Sequence, residues 1–210
     1  MKKIVAIVCF TLIAFQFTAC KKEAKKEETK TPEVVEKTFP YTLKTAENRI
    51  NFTAYKTTDK VPVKGMFKKI EITKLGEGNS VKEAINGAEF KIPVSSIETN
   101  DSSRNFKIQK FFFNVMENTV SLTGKFMLSE ESKGALALTM NGTTQVVPFE
   151  YTIVENAFRM KTTIDVTTWN AQAAVASLNE ACKDLHKGAD GVSKTWSEVA
   201  IEAVSTFTKQ

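Results

Sequence analysis

From residue 41 onward apolar side chains recur at every second position, the period that sets one face of a strand in a core and the other in water. Val120, Leu122, Gly124, Phe126 and Leu128 share one parity, as do Leu136, Leu138 and Met140, and then Val147, Phe149, Tyr151 and Ile153. Phe158, Met160, Thr162, Ile164 and Val166 repeat the pattern, and Val199, Ile201, Ala203, Ser205 and Phe207 close the chain with it. Earlier strands are expected at Ile50, Phe52 and Ala54, at Phe90, Ile92 and Val94, and near 63–72. In the last of these the apolar phase slips between Phe67 and Ile70, as a β-bulge would cause.

The turns agree with this pattern. Asn141-Gly142 lies between two alternating runs, and this pair suits the primed hairpin turn, which needs positive φ at both positions. Glu155-Asn156 predicts the next hairpin, so neighbouring strands are antiparallel. Helices are few. Ser80 with Glu83 predicts a capped short helix ended by Gly87, and Asp101 or Ser102 caps a segment running through Arg104 and Ile108 to Phe111. The longest helix is expected over 171–187, with Ala174, Leu178, Cys182 and Leu185 on one face and Gly188 as its stop. The fold class expected is all-β with short helices. Eight or nine strands close most economically into an antiparallel barrel, because closure removes unpaired edges. A β-sandwich is the competing architecture, since alternation by itself does not show closure.

The first residues carry a different signal. Met1-Lys2-Lys3 precedes an uncharged apolar run over 4–17, which ends at Thr18-Ala19-Cys20. A helix of that length reaches only about 21 Å, short of the ~30 Å hydrocarbon core, so 1–19 is expected to be an export signal. Thr18-Ala19-Cys20 resembles the lipobox of bacterial lipoproteins, with Phe17 where Leu is usual. The resemblance implies that Cys20 is the lipidated mature N-terminus; an ordinary secretory signal is the alternative. The stretch 21–37 (KKEAKKEETKTPEVVEK) is charged and broken by Pro32, too poor in apolar groups to fold, and 20–38 is expected to be a tether. In such lipoproteins Lys21, not being Asp, points to the outer membrane. The expected location is the cell envelope, lipid-anchored, facing the periplasm or the surface.

Charge follows the same division. The formal charge is +5, but 1–38 holds eight Lys against five Glu, leaving a near-neutral body that lacks the basic face of a nucleic-acid binder. Cys9, Cys20 and Cys182 are too few for a disulfide framework, and with one His they cannot complete a structural zinc site. Cys182 and His186, four residues apart on a predicted helix, are read as a packed small hydrophobe and a cation at a helix end. Gly76-Glu77-Gly78 lacks the residues that would make it a phosphate loop. No nucleophile and base pair presents itself, so neither catalytic residue nor metal ligand is expected. The chain is rich instead in Phe, 15 in all, including Phe111-Phe112-Phe113. An eight-stranded barrel can be filled by such side chains or can hold one small ligand, and composition does not choose between the two.

The order of motifs over 39–207 resembles the YceI-like family of bacterial envelope proteins. The resemblance is carried by Ile50-Asn51-Phe52-Thr53-Ala54-Tyr55-Lys56, by Val63-Lys64-Gly65-Met66-Phe67, and by Ile92-Pro93-Val94-Ser95-Ser96-Ile97-Glu98-Thr99. Arg104 through Phe111-Phe112-Phe113-Asn114-Val115 and then Gly124-Lys125-Phe126 continue it. Met116-Glu117-Asn118 and the run Ile164-Asp165-Val166-Thr167-Thr168-Trp169-Asn170-Ala171 depart from the family pattern. The resemblance implies an extended lipocalin-like barrel of about eight strands over 39–210 that encloses a polyisoprenoid, quinone or fatty-acid-like molecule for transport, storage or sequestration. The inward parity, with the family match for Phe52, Phe67, Phe112 and Phe113, gives the candidate wall: Ile50, Phe52, Phe67, Phe90, Ile92, Phe112, Phe113, Leu122, Phe126, Leu138, Phe149, Tyr151, Met160 and Ile164. No cofactor is expected beyond a bound isoprenoid or other lipid. The expected partners are that apolar ligand and the membrane, with a homodimer left open. The rival reading is a surface protein-interaction module with a solid-packed barrel.

Overall fold

The computed structural model describes residues 38–209. The expected signal over 1–19, Cys20 and the tether up to residue 37 lie outside the described residues. Among the described residues twelve strands alternate with short helices: β1 (Tyr41–Thr42), β2 (Glu47–Lys56), β3 (Val61–Phe67), β4 (Glu71–Lys74), β5 (Glu77–Gly78), α1 (Val81–Ile85) and β6 (Glu89–Pro93). A 3-10 turn at Val94–Ser96 leads to β7 (Ile97–Glu98), α2 (Ser102–Phe111), a second 3-10 turn at Phe113–Val115, β8 (Ser121–Leu128), β9 (Lys133–Met140), β10 (Thr143–Val154) and β11 (Ala157–Asp165). A third 3-10 turn at Val166–Trp169, α3 (Gln172–Ala181) and β12 (Thr195–Thr206) complete the chain.

Ten strands form one antiparallel sheet in the order β4-β6-β8-β9-β10-β11-β12-β2-β3-β7, while β1 pairs with β5. The two ends of that order are not free edges. β3 and β4 are successive parts of one bent strand, as β6 and β7 are of another, and the two bent strands pair with each other. Met66 and Phe67 face Glu98 and Ile97, and Glu71 and Ile72 face Lys91 and Phe90. Counted as bent strands the ten reduce to eight, and the sheet closes as a barrel with a partner on each side of every strand. The slipped phase between Phe67 and Ile70 is thus a break in the strand at this bend, with Lys68 N–H donating to the Ser96 carbonyl across it at 2.9 Å.

The hairpins fall where the turn residues put them. Asn141 and Gly142 take φ 51° and 67° between β9 and β10, and Glu155 takes φ 53° between β10 and β11. Asn141 does more than turn: its amide donates to the Trp169 carbonyl at 2.7 Å, and its side-chain oxygen accepts from Glu117 N–H at 2.7 Å. Antiparallel pairing gathers α2, the Asn141-Gly142 turn, α3 and the loop into β12 at one end of the barrel, where α2 and α3 touch. The other end carries α1, the β1–β5 pair and the 155–156 turn.

Ser80 caps α1 by accepting from Glu83 N–H at 3.2 Å, and Gly87 follows with φ 80°. Asp101, rather than Ser102, caps α2, accepting from Arg104 N–H at 3.0 Å. The long helix is shorter than its periodicity predicts. It stops at Ala181, because the following chain is drawn toward β12: Lys187 bridges Ser193, and Lys194 N–H donates to the His186 carbonyl at 3.2 Å. Asn179 anchors the change by accepting from the Ser193 and Thr195 hydroxyls at 3.3 and 3.0 Å. Leu185, expected on the apolar face, is exposed, whereas Ala174 and Cys182 are buried. Val120 also departs from its parity, standing exposed just before β8 begins.

Candidate functional site

The barrel interior divides into two parts. Toward the α1 end, Phe126, Phe149, Tyr151 and Phe158 pack ring against ring, with centroids 5.5–6.3 Å apart, and these rings plug the lumen. Above the plug a cavity of about 150 Å³ runs toward α2 and α3. Its wall takes Ile50 and Phe52 from β2, Phe67 from β3, Phe90 and Ile92 from β6, Leu122 and Phe126 from β8, Leu138 from β9, and Met160 and Ile164 from β11. Phe112 and Phe113, just after α2, join them. These candidate residues are thus brought together around one space.

Phe149 and Tyr151 are not among its lining. They have the inward parity but point into the plug. Phe149 lies over Gly134, its partner across β9 and β10, so closely that an added Cβ on Gly134 would stand 2.5 Å from the Phe149 Cζ. The Tyr151 hydroxyl donates to the Ser129 carbonyl at 3.1 Å, which ties the ring to the closed end. Parity identifies the face of a strand, not the height along the barrel axis.

The same arrangement of ring over glycine shapes the cavity itself. Phe52 faces Gly65 across β2 and β3, Phe90 faces Gly124 across β6 and β8, and in both pairs an added Cβ would clash with the ring tip. The rings lie along the wall instead of standing in the lumen.

Sequence reasoning missed other wall residues. Leu136, Met140, Val199, Ile201 and Ala203 line the cavity and have the inward parity, so the strand pattern could have supplied them. Ile108 and Leu178 reach it from α2 and α3, and no local pattern shows that these helices cover a barrel end. Trp196 enters because the β12–β2 register shifts between Thr195 and Val199, which reverses its parity. The polar groups in the lining are already occupied. Trp196 N–H donates to the Thr57 carbonyl at 2.7 Å, and the Thr195 hydroxyl lies 3.0 Å from Asn179 Oδ1 and 2.7 Å from His186 Nδ1.

At the helical end the cavity meets a second space of about 200 Å³, a vestibule that shares Phe52, Ala54, Ile108, Leu178 and Thr195 in its lining. Its outer wall is polar and includes Lys56, Asp101, Arg104, Lys107 and His186. It lies beside the upper part of β3, where pairing with β7 extends only over Met66 and Phe67. His186 is not the helix-end cation its sequence position predicts. Burial, followed by the nearby Lys56, Lys107 and Arg104 charges, pushes its pKa down to about 4, so the ring is neutral at pH 7. Burial also raises the pKa of the Cys182 thiol, which packs as a small apolar side chain.

The fold and its cavity can be compared with known proteins. A family model described as the YceI-like domain matches residues 41–207. A polyisoprenoid-binding domain from Saccharophagus degradans, implicated in plant cell wall breakdown, superposes with a TM-score of 0.58 at 13% identity, over 82% of this chain and 100% of the other. BcnA of Burkholderia cenocepacia superposes with a TM-score of 0.51 at 18% identity, over 77% and 96% of the two chains. No curated protein matches in sequence. At these identities the structures speak for the shared fold alone, and the family rests on the match spanning β1 to the residue after β12: the chain belongs to the YceI-like family.

Proposed function

We propose that the barrel binds a long apolar molecule of polyisoprenoid, quinone or fatty-acid type and carries, stores or sequesters it in the cell envelope. The observation that carries this reading is the cavity of about 150 Å³ whose polar lining groups are already hydrogen-bonded within the protein. Such a wall rewards hydrocarbon. Each methylene taken out of water contributes about 0.8 kcal/mol, so affinity needs few polar contacts, and no catalytic step is invoked. The fold shared with a polyisoprenoid-binding domain supports the same reading.

Size constrains how the guest is held. Engineered apolar cavities of about 150 Å³ take up benzene-sized molecules, whereas pockets for drug-sized ligands start at about 300 Å³. A long chain therefore extends into the vestibule and displaces Ile108, Phe112 and Leu178, the side chains that cover the helical end. Envelope attachment rests on the sequence around Cys20, whose acyl chains would hold the domain at a bilayer.

Native mass spectrometry of the purified protein, followed by solvent extraction, tests the proposal. A stoichiometric lipid is expected. A protein that emerges empty and takes up no isoprenoid, quinone or fatty acid would overturn it in favour of a surface interaction module. Attachment is tested separately: Cys20→Ser should move the protein from the membrane fraction to the soluble one.

A further inference from the structure

The vestibule combines an apolar floor with unbalanced positive charge. Lys56, Arg104 and Lys107 line it, and Asp101 is the one carboxylate residue among its lining. That carboxylate is committed, accepting from Arg104 N–H at 3.0 Å as the cap of α2 and pairing with the Arg104 guanidinium at 3.4 Å. Lys56 donates to the Leu185 carbonyl at 3.0 Å, a neutral partner. Neither Lys56 nor Lys107 makes a direct ion pair with a carboxylate among the described residues; Lys107 acts on Asp101 only at longer range, as one of the charges that hold that carboxyl below its usual value. Elsewhere on the barrel, cations such as Lys60, Lys68 and Lys161 are matched by Glu198, Glu98 and Glu202.

The same three cations disfavour charging of His186, so their field reaches the place where the vestibule joins the apolar cavity. Three cations sharing one carboxylate beside a partly dehydrated cleft attract an anion more strongly than they would in open water, and charge-assisted hydrogen bonds offset the head group's lost hydration.

We propose that Lys56, Arg104 and Lys107 receive the anionic head group, carboxylate or phosphate, of an amphiphile whose hydrocarbon tail fills the cavity. This rests on the reading of the barrel as an apolar-ligand binder and narrows it to acidic amphiphiles.

Dodecanoate, dodecyl phosphate and dodecanol share one tail and differ in the head, and each can be titrated into the purified full chain against the neutral fluorescent probe N-phenyl-1-naphthylamine. At least one anion should bind about tenfold or more tightly than dodecanol, a preference of the size expected for charged pairs near a protein surface. Which anion wins identifies the head group. In a Lys56→Met/Arg104→Met/Lys107→Met variant that preference should vanish while dodecanol affinity stays within about twofold of the parent, because an uncharged head group has no Coulomb attraction to lose. In the unmodified protein, raising salt from about 0.05 M to about 0.5 M should weaken the anion and leave dodecanol unchanged, a readout independent of whether the variant folds. Equal affinity for alcohol and anions, or a preference indifferent to both salt and the variant, overturns the head-group assignment and leaves the apolar reading standing. Failure of all three to displace the probe overturns both.

Discussion

The Phe52 ring lies across Gly65 on the neighbouring strand, and there is no room between them for a methyl group. Phe52 also lines both the cavity and the vestibule, so Gly65 sets the bore of the barrel without touching its contents. Gly65→Ala should lift the ring into the lumen, costing about 1–3 kcal/mol of stability as overpacking does and lowering ligand uptake. Urea denaturation and titration of the same samples check the two effects.

Gly134→Ala provides the contrast. It should displace Phe149, which lies outside the cavity lining, with a stability loss of similar size, about 1–3 kcal/mol, and unchanged affinity per folded molecule. A loss of affinity here would mean that Phe149 shapes the cavity through Phe126, the plug ring that also lines it.

Leu138→Trp adds bulk to the cavity wall from the C-terminal half of β9. The variant should fold, with a loss of about 1–3 kcal/mol, and should extract without its lipid. Circular dichroism and native mass spectrometry distinguish an occupied lumen from a lost fold.

Trp169 is almost wholly buried, and its indole N–H donates to the Leu138 carbonyl at 3.0 Å. Trp169→Phe removes that donor and leaves a void beside the Asn141 turn. It should cost about 1–3 kcal/mol in chemical denaturation, from the lost hydrogen bond and the lost packing together.

His186 makes stability depend on pH. Its pKa lies near 6.5 when unfolded and is pushed down to about 4 in the fold by burial first and by Lys56, Lys107 and Arg104 next. Between those values the unfolded chain binds a proton that the folded chain does not, so stability falls as pH falls through that window. Thermal unfolding from pH 7 to 4 should show a steeper decline for the parent than for His186→Gln.

Much of the architecture was legible because strand alternation and turn chemistry act locally. Asn141-Gly142 and the parity of β8 to β12 each specify a hairpin without help from distant residues. Closure depends instead on β3–β4 meeting β6–β7 at a bend, and only the slipped phase near Phe67 hinted at it. The wall was legible wherever the face of a strand sufficed, as at Leu138 and Met160. Phe149 and Tyr151 were misplaced because position along the axis depends on how far each strand is staggered. The end of α3 at Ala181 was hidden for a related reason: Asn179, Ser193 and Thr195 meet only in the folded chain, and their hydrogen bonds override a helical repeat that runs on in the sequence.

The bend that completes the barrel is also its weakest seam. Between Phe67 and Glu71 the regular ladder lapses, and the wall is bridged by the Lys68 N–H to Ser96 bond and the Ser96 hydroxyl to the Lys69 carbonyl. The other strand pairs of the barrel have longer ladders to unzip, so widening to admit a bulky guest starts along this line, and its amide protons exchange before those of the other barrel strands. The sheet behaves like a cuff with one short fastening: its girth adjusts at the join while the rest of the fabric keeps its weave.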